Sequence, residues 1–148
     1  MIKDKPEPGS LAWHCKHGTL TPELLDQFDD QLTTVSKERC NALHFAAAAG
    51  HAHVVAMLLP KLLPKLQAVL EAKLKAKLKL QAKVKDAFVD KKAVTNAVDV
   101  KTAGGYTALL LACRGAHLNT MRVLLEHKAD VEACDNDGYT AVSSFLLA

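Results

Sequence analysis

The residues that could carry metal chemistry lie in one short N-terminal cluster. His14, Cys15 and His17 flank Trp13, and imidazole and thiolate groups are the ligands that Zn²⁺ prefers in proteins. A zinc site needs three or four convergent ligands, and on a helix His14 and His17 share a face that Cys15 does not. We therefore expect packing residues here, with no metal and no cofactor.

Catalytic motifs are missing from the sequence. It contains no glycine-rich phosphate loop, nucleophile elbow or HExxH zinc motif. Asp135 and Asp137 lie in a turn-rich stretch, where aspartate is favoured because it bonds to its own backbone. The sequence therefore predicts that the chain is not an enzyme.

The composition favours helices. Alanine and leucine are the two commonest residue types and are equally frequent, whereas valine is only half as common and isoleucine occurs once. A core rich in alanine and leucine and poor in β-branched residues is typical of helical packing. We therefore predict an all-α fold.

A repeat of regular period runs through the chain. Gly-Tyr-Thr-Ala at 105–108 recurs at 138–141, an offset of 33, and Thr-Ala-Leu at 107–109 matches Asn-Ala-Leu at 41–43, which stands twice that offset earlier. Each unit contains two apolar helical patterns, the first ending at a glycine such as Gly50. Such repeats are typical of stacked helix pairs, each unable to bury its apolar face alone.

Local signals place helix starts and turns within the units. Thr21, Pro22 and Glu23 predict a helix over 22–28, with an N-cap, a proline in the first turn and an early acid. Residues 129–138 are rich in turn formers and predict a short hairpin that projects from the helices.

These units resemble the ankyrin repeat, which implies an ankyrin solenoid of antiparallel helix pairs with hairpin connectors. The resemblance divides the single domain into a degenerate repeat (10–39), a second repeat (40–60), an insertion (61–95), a further repeat (96–137) and a partial one (138–148). The family's Thr-Pro-Leu-His motif is altered: alanine replaces the proline in each unit, and no unit keeps both threonine and histidine. We therefore expect the hydrogen bond between those two side chains to be altered or lost. The motif pairs are Asn41 with His44, Thr107 with Leu110, and Thr140 with Ser143.

The insertion permits two interpretations. Residues 73–85 alternate polar and apolar side chains, the pattern of a half-buried strand. The residue types, however, are strong helix formers, and no second strand-like segment offers a partner. We predict a long helix with Pro64 in its first turn. It would extend the second helix of the 40–60 repeat past the solenoid.

Charge is concentrated in this insertion. The formal net charge is +3, but residues 61–92 hold ten lysines against three acids, which leaves the remainder acidic. One interpretation is a solvated helix face. The alternative is an amphipathic basic element, over 64–92, that meets an acidic partner surface or an anionic membrane. Nucleic acid is not favoured, because the segment has no arginine and one aromatic residue. The predicted basic surface comprises Lys61, Lys65, Lys75, Lys79 and Lys83.

Resemblance to the ankyrin family implies a protein partner, bound by the hairpin tips and the exposed face of the first helices. Tyrosine and arginine are enriched at binding hot spots, so Tyr106, Tyr139 and Arg114 lead the candidates. An alternative for the two tyrosines is that they shield the neighbouring unit. Four further candidate binding residues are assigned by their position in the resembled repeat: Ala48, Ala49, Asn136 and Asp137.

The cellular setting is also an expectation. The N-terminus lacks the apolar region of a signal peptide, and no uninterrupted apolar run approaches the roughly 20 residues of a membrane span. The four cysteines form no CxxC pair, which favours free thiols in a reducing compartment. We expect an intracellular monomer. The apolar half-repeat at 138–148 either packs back on its neighbour or marks the chain as a fragment of a longer protein, and we favour the fragment. Irregular ankyrin repeats are also compatible with bacterial proteins delivered into host cells.

Overall fold

A computed structural model describes residues 5–81 and 97–146. In those ranges the chain forms helices joined by short connectors, with single turns of 3₁₀ helix at Asp29–Gln31 and Ala97–Asp99. The α-helices are α1 (Leu11–His17), α2 (Pro22–Gln27), α3 (Ala42–Ala49), α4 (Ala52–Gln81), α5 (Ala108–Arg114), α6 (Leu118–Glu126) and α7 (Ala141–Leu146).

Side-chain caps fix where four of the helices begin. Ser10, Thr21, Asn41 and Thr107 are N-caps whose side-chain oxygens accept the backbone N–H three residues later. Such a cap satisfies a donor that the first helical turn leaves unpaired. The start predicted at Pro22 is confirmed, and α2 ends at Gln27, one residue before the predicted Phe28.

Two layers of helices make the fold. In the inner layer α1 packs on α3, α3 on α5 and α5 on α7, while in the outer layer α4 packs on α6. The core between the layers is built mainly from leucine, alanine and valine, including the fully buried Ala46, Leu58 and Leu124. The predicted all-α ankyrin solenoid is confirmed.

Helix α4 is far longer than the others, at 30 residues or about 45 Å. It confirms the helical interpretation of the alternating segment as far as Gln81, and residues 82–85 of that segment lie outside the described residues. The prediction that the insertion extends the second helix of the 40–60 repeat is confirmed. The placement of Pro64 in a first turn is wrong, because α4 begins at Ala52 and both Pro60 and Pro64 lie inside it. The two prolines are exposed and four residues apart, so the carbonyls that lose their partners lie on a solvated face.

The repeats on either side of the Lys-rich segment are direct neighbours in space. Helix α3 packs on α5, and Ala103 N–H donates to the carbonyl of Glu38 at 2.7 Å. The segment between them in the sequence therefore does not separate the two units.

One stretch of α4, Ala52–Lys73, has the length and the mean hydropathy (1.3) of a membrane-crossing helix. The expectation from uninterrupted apolar runs overlooked it because Lys61 and Lys65 break the run. A third of this stretch is buried within the fold. Its apolar side chains include Leu59 and Leu62, which are fully enclosed by the repeat core, so core packing accounts for part of its apolar composition.

Candidate functional site

Three hairpins of the same geometry project from the inner helices, at residues 36–40, 102–106 and 135–139. In each, the first residue's N–H donates to the carbonyl of the fifth, at 2.9 to 3.0 Å. The side-chain oxygen of that first residue, from Ser36, Thr102 or Asp135, accepts the N–H of the fifth at 2.9 to 3.2 Å. We call this row of three hairpins the hairpin ladder.

The fourth residue of each hairpin has a left-handed backbone. It is Gly105 (φ 82°) and Gly138 (φ 85°) in two hairpins, but Arg39 (φ 58°) in the first. Glycine adopts this conformation freely, whereas a side chain makes it costly. The first hairpin therefore carries local strain that the other two avoid.

Backbone hydrogen bonds join the hairpins into one continuous row. Besides the bond between Ala103 and Glu38, Asn136 N–H donates to the carbonyl of Gly104 at 3.3 Å. The Asn136 side chain adds a bond from Nδ2 to the Ala103 carbonyl at 3.0 Å. The tips are thus held at fixed spacing along one edge of the repeat stack.

Tyr106, the last residue of the second hairpin, contacts Arg114, the last residue of the inner helix α5. Arg114 Nη1 donates to Tyr106 Oη at 3.0 Å, and the Arg114 guanidinium carbon lies 5.1 Å from the centre of the tyrosine ring. The ring is half-buried and packs over Gly104, where an added Cβ would approach it to 2.8 Å. Arg114 itself is exposed, so a cation is presented at a fixed position.

The other predicted contact residues are more dispersed. Tyr139 is 45% exposed on the last hairpin, beside the exposed Asn136 and Asp137. Asp137 uses its backbone N–H to bond Asp135 Oδ1 at 2.9 Å, which confirms the predicted aspartate turn. Ala48 and Ala49 are half-buried at the end of α3.

The altered motif of the second repeat keeps a reciprocal cap. Asn41 Oδ1 accepts the N–H of His44, and His44 Nδ1 accepts the N–H of Asn41, both at 3.1 Å. His44 Nε2 then donates to the carbonyl of Val100 at 2.7 Å. Burial lowers the pKa of His44 to about 4, so the imidazole is neutral at physiological pH.

Two histidines tie neighbouring repeats together through glycine. The ring of His51 lies against Gly18 and that of His117 against Gly50, where an added Cβ would come within 2.7 and 2.4 Å. Their Nε2 atoms bond the carbonyls of Lys16 (3.1 Å) and Ala48 (3.2 Å). Both histidines therefore join neighbouring repeats by packing and hydrogen bonding.

The N-terminal His-Cys-His cluster is a packing cluster. His14 Nδ1 bonds Thr19 Oγ1 at 2.8 Å, and Trp13 lies over His17 with ring centres 4.3 Å apart. Cys15 is fully buried, and burial raises the pKa of its thiol to about 12. Over residues 5–81 and 97–146, no three His, Cys, Asp or Glu side chains are grouped so that they could hold a metal ion. The predicted free thiols are confirmed for all four cysteines.

Part of the predicted basic surface is neutralised by the first repeat. Lys61 pairs with Asp26 and Lys65 with Asp29, so neither is the free cation that the sequence suggested. The reason is that the acidic helix α2 and the turn after it lie alongside α4. Lys75 is exposed, whereas the side chain of Lys79 and the whole of Lys83 lie outside the described part of the structure.

The hairpin ladder is the part of the candidate site that the sequence analysis recognised only in part. Residues 129–138 were predicted to form a hairpin, and the family resemblance placed Tyr106 at a hairpin, but the hairpin at 36–40 was not recognised. A side-chain acceptor at Ser36, Thr102 and Asp135 recurs at offsets of 66 and 33, and that recurrence is the signal that could have located all three.

Two family models match the chain. One, described as ankyrin repeats (3 copies), matches residues 74–144, and another, described as ankyrin repeat, matches residues 38–62. Together these ranges cover nearly two thirds of the chain. A comparison with curated proteins finds no match.

Proposed function

Because this chain belongs to the ankyrin-repeat family, we propose that it binds a partner protein through the hairpin ladder and the adjoining face of the inner helices. Ankyrin repeats are a protein–protein interaction module and are generally non-catalytic. The observation that supports this surface is the continuous row of tips beside the Tyr106–Arg114 pair. We also propose that the chain has no catalytic role of its own and acts inside the cell.

Preorganisation makes this surface suitable for binding. Immobilising a long side chain costs about 0.5 to 1.5 kcal/mol on association. Arg114 is already held by the hydroxyl and ring of Tyr106, and the tips are already bonded to each other. A partner carboxylate would therefore meet a guanidinium that needs little ordering, which is typical of an arginine hot spot.

The experiment compares two arginines of the same chain. Arg114→Ala removes the cation beside the ladder, and Arg122→Ala removes an exposed arginine from the outer helix α6. After a partner has been identified by crosslinking and mass spectrometry, we expect Arg114→Ala to weaken its binding about tenfold, as measured by calorimetry. Arg122→Ala should bind normally, and equal affinities for both variants would refute this surface.

A second proposal concerns the Lys-rich segment 64–92, which we propose contacts an acidic protein surface or anionic lipid. Leu70 packs on the core, and beyond it helix α4 carries exposed Lys73 and Lys75. The test is flotation with anionic and with neutral vesicles at low and raised salt, comparing the chain with a Lys73→Gln/Lys75→Gln variant. Binding that is equal on neutral vesicles, or unchanged by salt, would refute lipid attraction.

A further inference from the structure

The hairpin ladder has an open edge at the first hairpin. Lys37, Ala103 and Asn136 occupy equivalent positions, at offsets of 66 and 33. The N–H groups of Ala103 and Asn136 each donate to a carbonyl of the preceding hairpin. Among the described residues, none accepts a hydrogen bond from the Lys37 N–H. The backbone N–H of Lys37 is therefore an available donor at this edge of the hairpin ladder.

A cavity of about 530 Å³ lies beside the first hairpin, and the chain's own residues Lys5, Pro6 and Glu7 also line it. Its lining includes Ala12, Ala42 and Phe45 from the inner helices, and Thr34, Val35 and Lys37 from the hairpin and its approach. Ala42 and Phe45 are almost fully buried in the fold, whereas Val35 is 58% exposed. The cavity thus combines an apolar wall with the unused backbone donor.

We propose that this edge takes an extended segment of the partner protein, with a backbone carbonyl accepting the Lys37 N–H and an apolar side chain entering the cavity. The partner segment would continue the interface by which the hairpins already join, since Glu38 and Gly104 supply the same kind of carbonyl within the ladder. Addition of an extended segment to an open backbone edge is a general mode of peptide recognition. This inference rests on the proposed function and assigns one end of the binding surface.

Proline tests the backbone donor selectively. Lys37 is the second residue of a turn in which Arg39 N–H bonds the Ser36 carbonyl at 2.9 Å, a position where proline is favoured. Lys37→Pro therefore removes the N–H without breaking the turn, and Lys37→Ala removes the charge while keeping the N–H. Val35→Asp places a carboxylate on the cavity wall at an exposed position and serves as an independent variant.

The probes are two capped pentapeptides, Ser-Gly-Leu-Gly-Ser and Ser-Gly-Gly-Gly-Ser, titrated into the ¹⁵N-labelled chain and followed by NMR. We expect the leucine peptide to shift the Lys37 amide and the residues around Phe45, and the glycine peptide to bind at least tenfold more weakly. Lys37→Ala should bind within twofold of the parent chain. Lys37→Pro and Val35→Asp should each lose about tenfold, with unchanged thermal melting.

Several results would overturn the proposal. These are no shift at Lys37, equal binding of the two peptides, or equal loss in Lys37→Ala and Lys37→Pro. A dimer in sedimentation that Lys37→Pro dissociates would identify a second copy as the occupant instead. If an identified partner depends on Arg114 but tolerates Lys37→Pro, the open-edge proposal fails while the proposed function stands.

Discussion

His44 reaches across the chain to bond the carbonyl of Val100, a residue 56 positions later, through an Nε2–O distance of 2.7 Å. The same imidazole accepts the N–H of Asn41 at Nδ1, so the bonding pattern assigns the proton to Nε2. One neutral side chain therefore both caps α3 and fixes the place where the chain rejoins the repeat stack.

Acid should weaken the fold through this histidine. Burial lowers the pKa of His44 from 6.5 to about 4, so between these values the unfolded chain binds the extra proton and the folded chain does not. The contribution of His44 to the free energy of unfolding is complete above pH 6.5 and is lost as the pH falls towards 4, by about 3 kcal/mol in total. Urea unfolding at pH 7.5 and 4.5 measures the loss.

The matched variant is His44→Leu, which copies Leu110 at the equivalent position of the next repeat. It should be less stable than the parent at pH 7.5, by about 1 to 3 kcal/mol, because its hydrogen bonds are lost. Its stability should depend less on pH in this range. An unchanged pH dependence in His44→Leu would contradict the assignment to this side chain.

Arg39→Gly should stabilise the protein. The left-handed conformation costs a side chain about 1 to 2 kcal/mol, which exceeds the roughly 0.5 to 1 kcal/mol of backbone entropy that glycine loses on folding. A net gain of about 0.5 kcal/mol in the free energy of unfolding is therefore expected in chemical denaturation.

Alanine substitutions at two glycines of the hairpin ladder distinguish the cost of backbone strain from the cost of steric contact between hairpins. At Gly138 nothing lies within 4 Å of an added Cβ, so Gly138→Ala should cost about 1 kcal/mol from backbone strain alone. At Gly105 the Cβ would lie 2.6 Å from the Asn136 backbone nitrogen, and Gly105→Ala should cost clearly more. Equal losses would show that contact between hairpins contributes nothing.

Gly50→Ala should destabilise the fold by disturbing the contact with His117. The new Cβ would lie 2.4 Å from His117 Nδ1, and the backbone has φ 78°. In a double-mutant cycle with His117→Ala, the cost of Gly50→Ala should fall to the strain of about 1 kcal/mol, because the ring is gone. If the two changes are additive in thermal unfolding, steric contact with His117 is excluded as the cause.

Thiol reactivity should differ between repeats. Burial raises the pKa of Cys15 to about 12, so almost no thiolate forms at neutral pH, whereas Cys134 is half-exposed in a connector. Brief alkylation of the native protein, read by mass spectrometry, should modify Cys134 and spare Cys15. In denaturant both should react at similar rates, and early labelling of native Cys15 would contradict its burial.

The sequence predicted the parts of the fold that depend on neighbours along the chain. Thr21 with Pro22 located a helix start, and Gly50 located a helix end, because caps and left-handed glycines act within one helical turn. The place of Pro64 in the interior of α4 was missed because it was interpreted as a first-turn proline. Its tolerance inside the helix depends on an exposed face, which only the packed structure reveals.

The features that the sequence could not predict are contacts between residues that lie far apart along the chain. Nothing local indicates that Lys61 meets Asp26, or that His44 meets Val100, since both depend on how the repeats stack. For the candidate surface, Tyr106 and Arg114 were chosen by residue type, and the structure adds that they touch.

Because Ala103 bonds directly to Glu38, the distance between the first two hairpins does not depend on how many residues separate them in the sequence. The first two hairpins are twice as far apart in the sequence as the second and third. Each neighbouring pair is nevertheless joined by a single hydrogen bond between backbone groups. A longer Lys-rich segment between the first two hairpins would add only a slowly growing entropic cost of loop closure. We therefore expect the spacing of the hairpin tips to be unaffected by insertions and deletions in the Lys-rich segment.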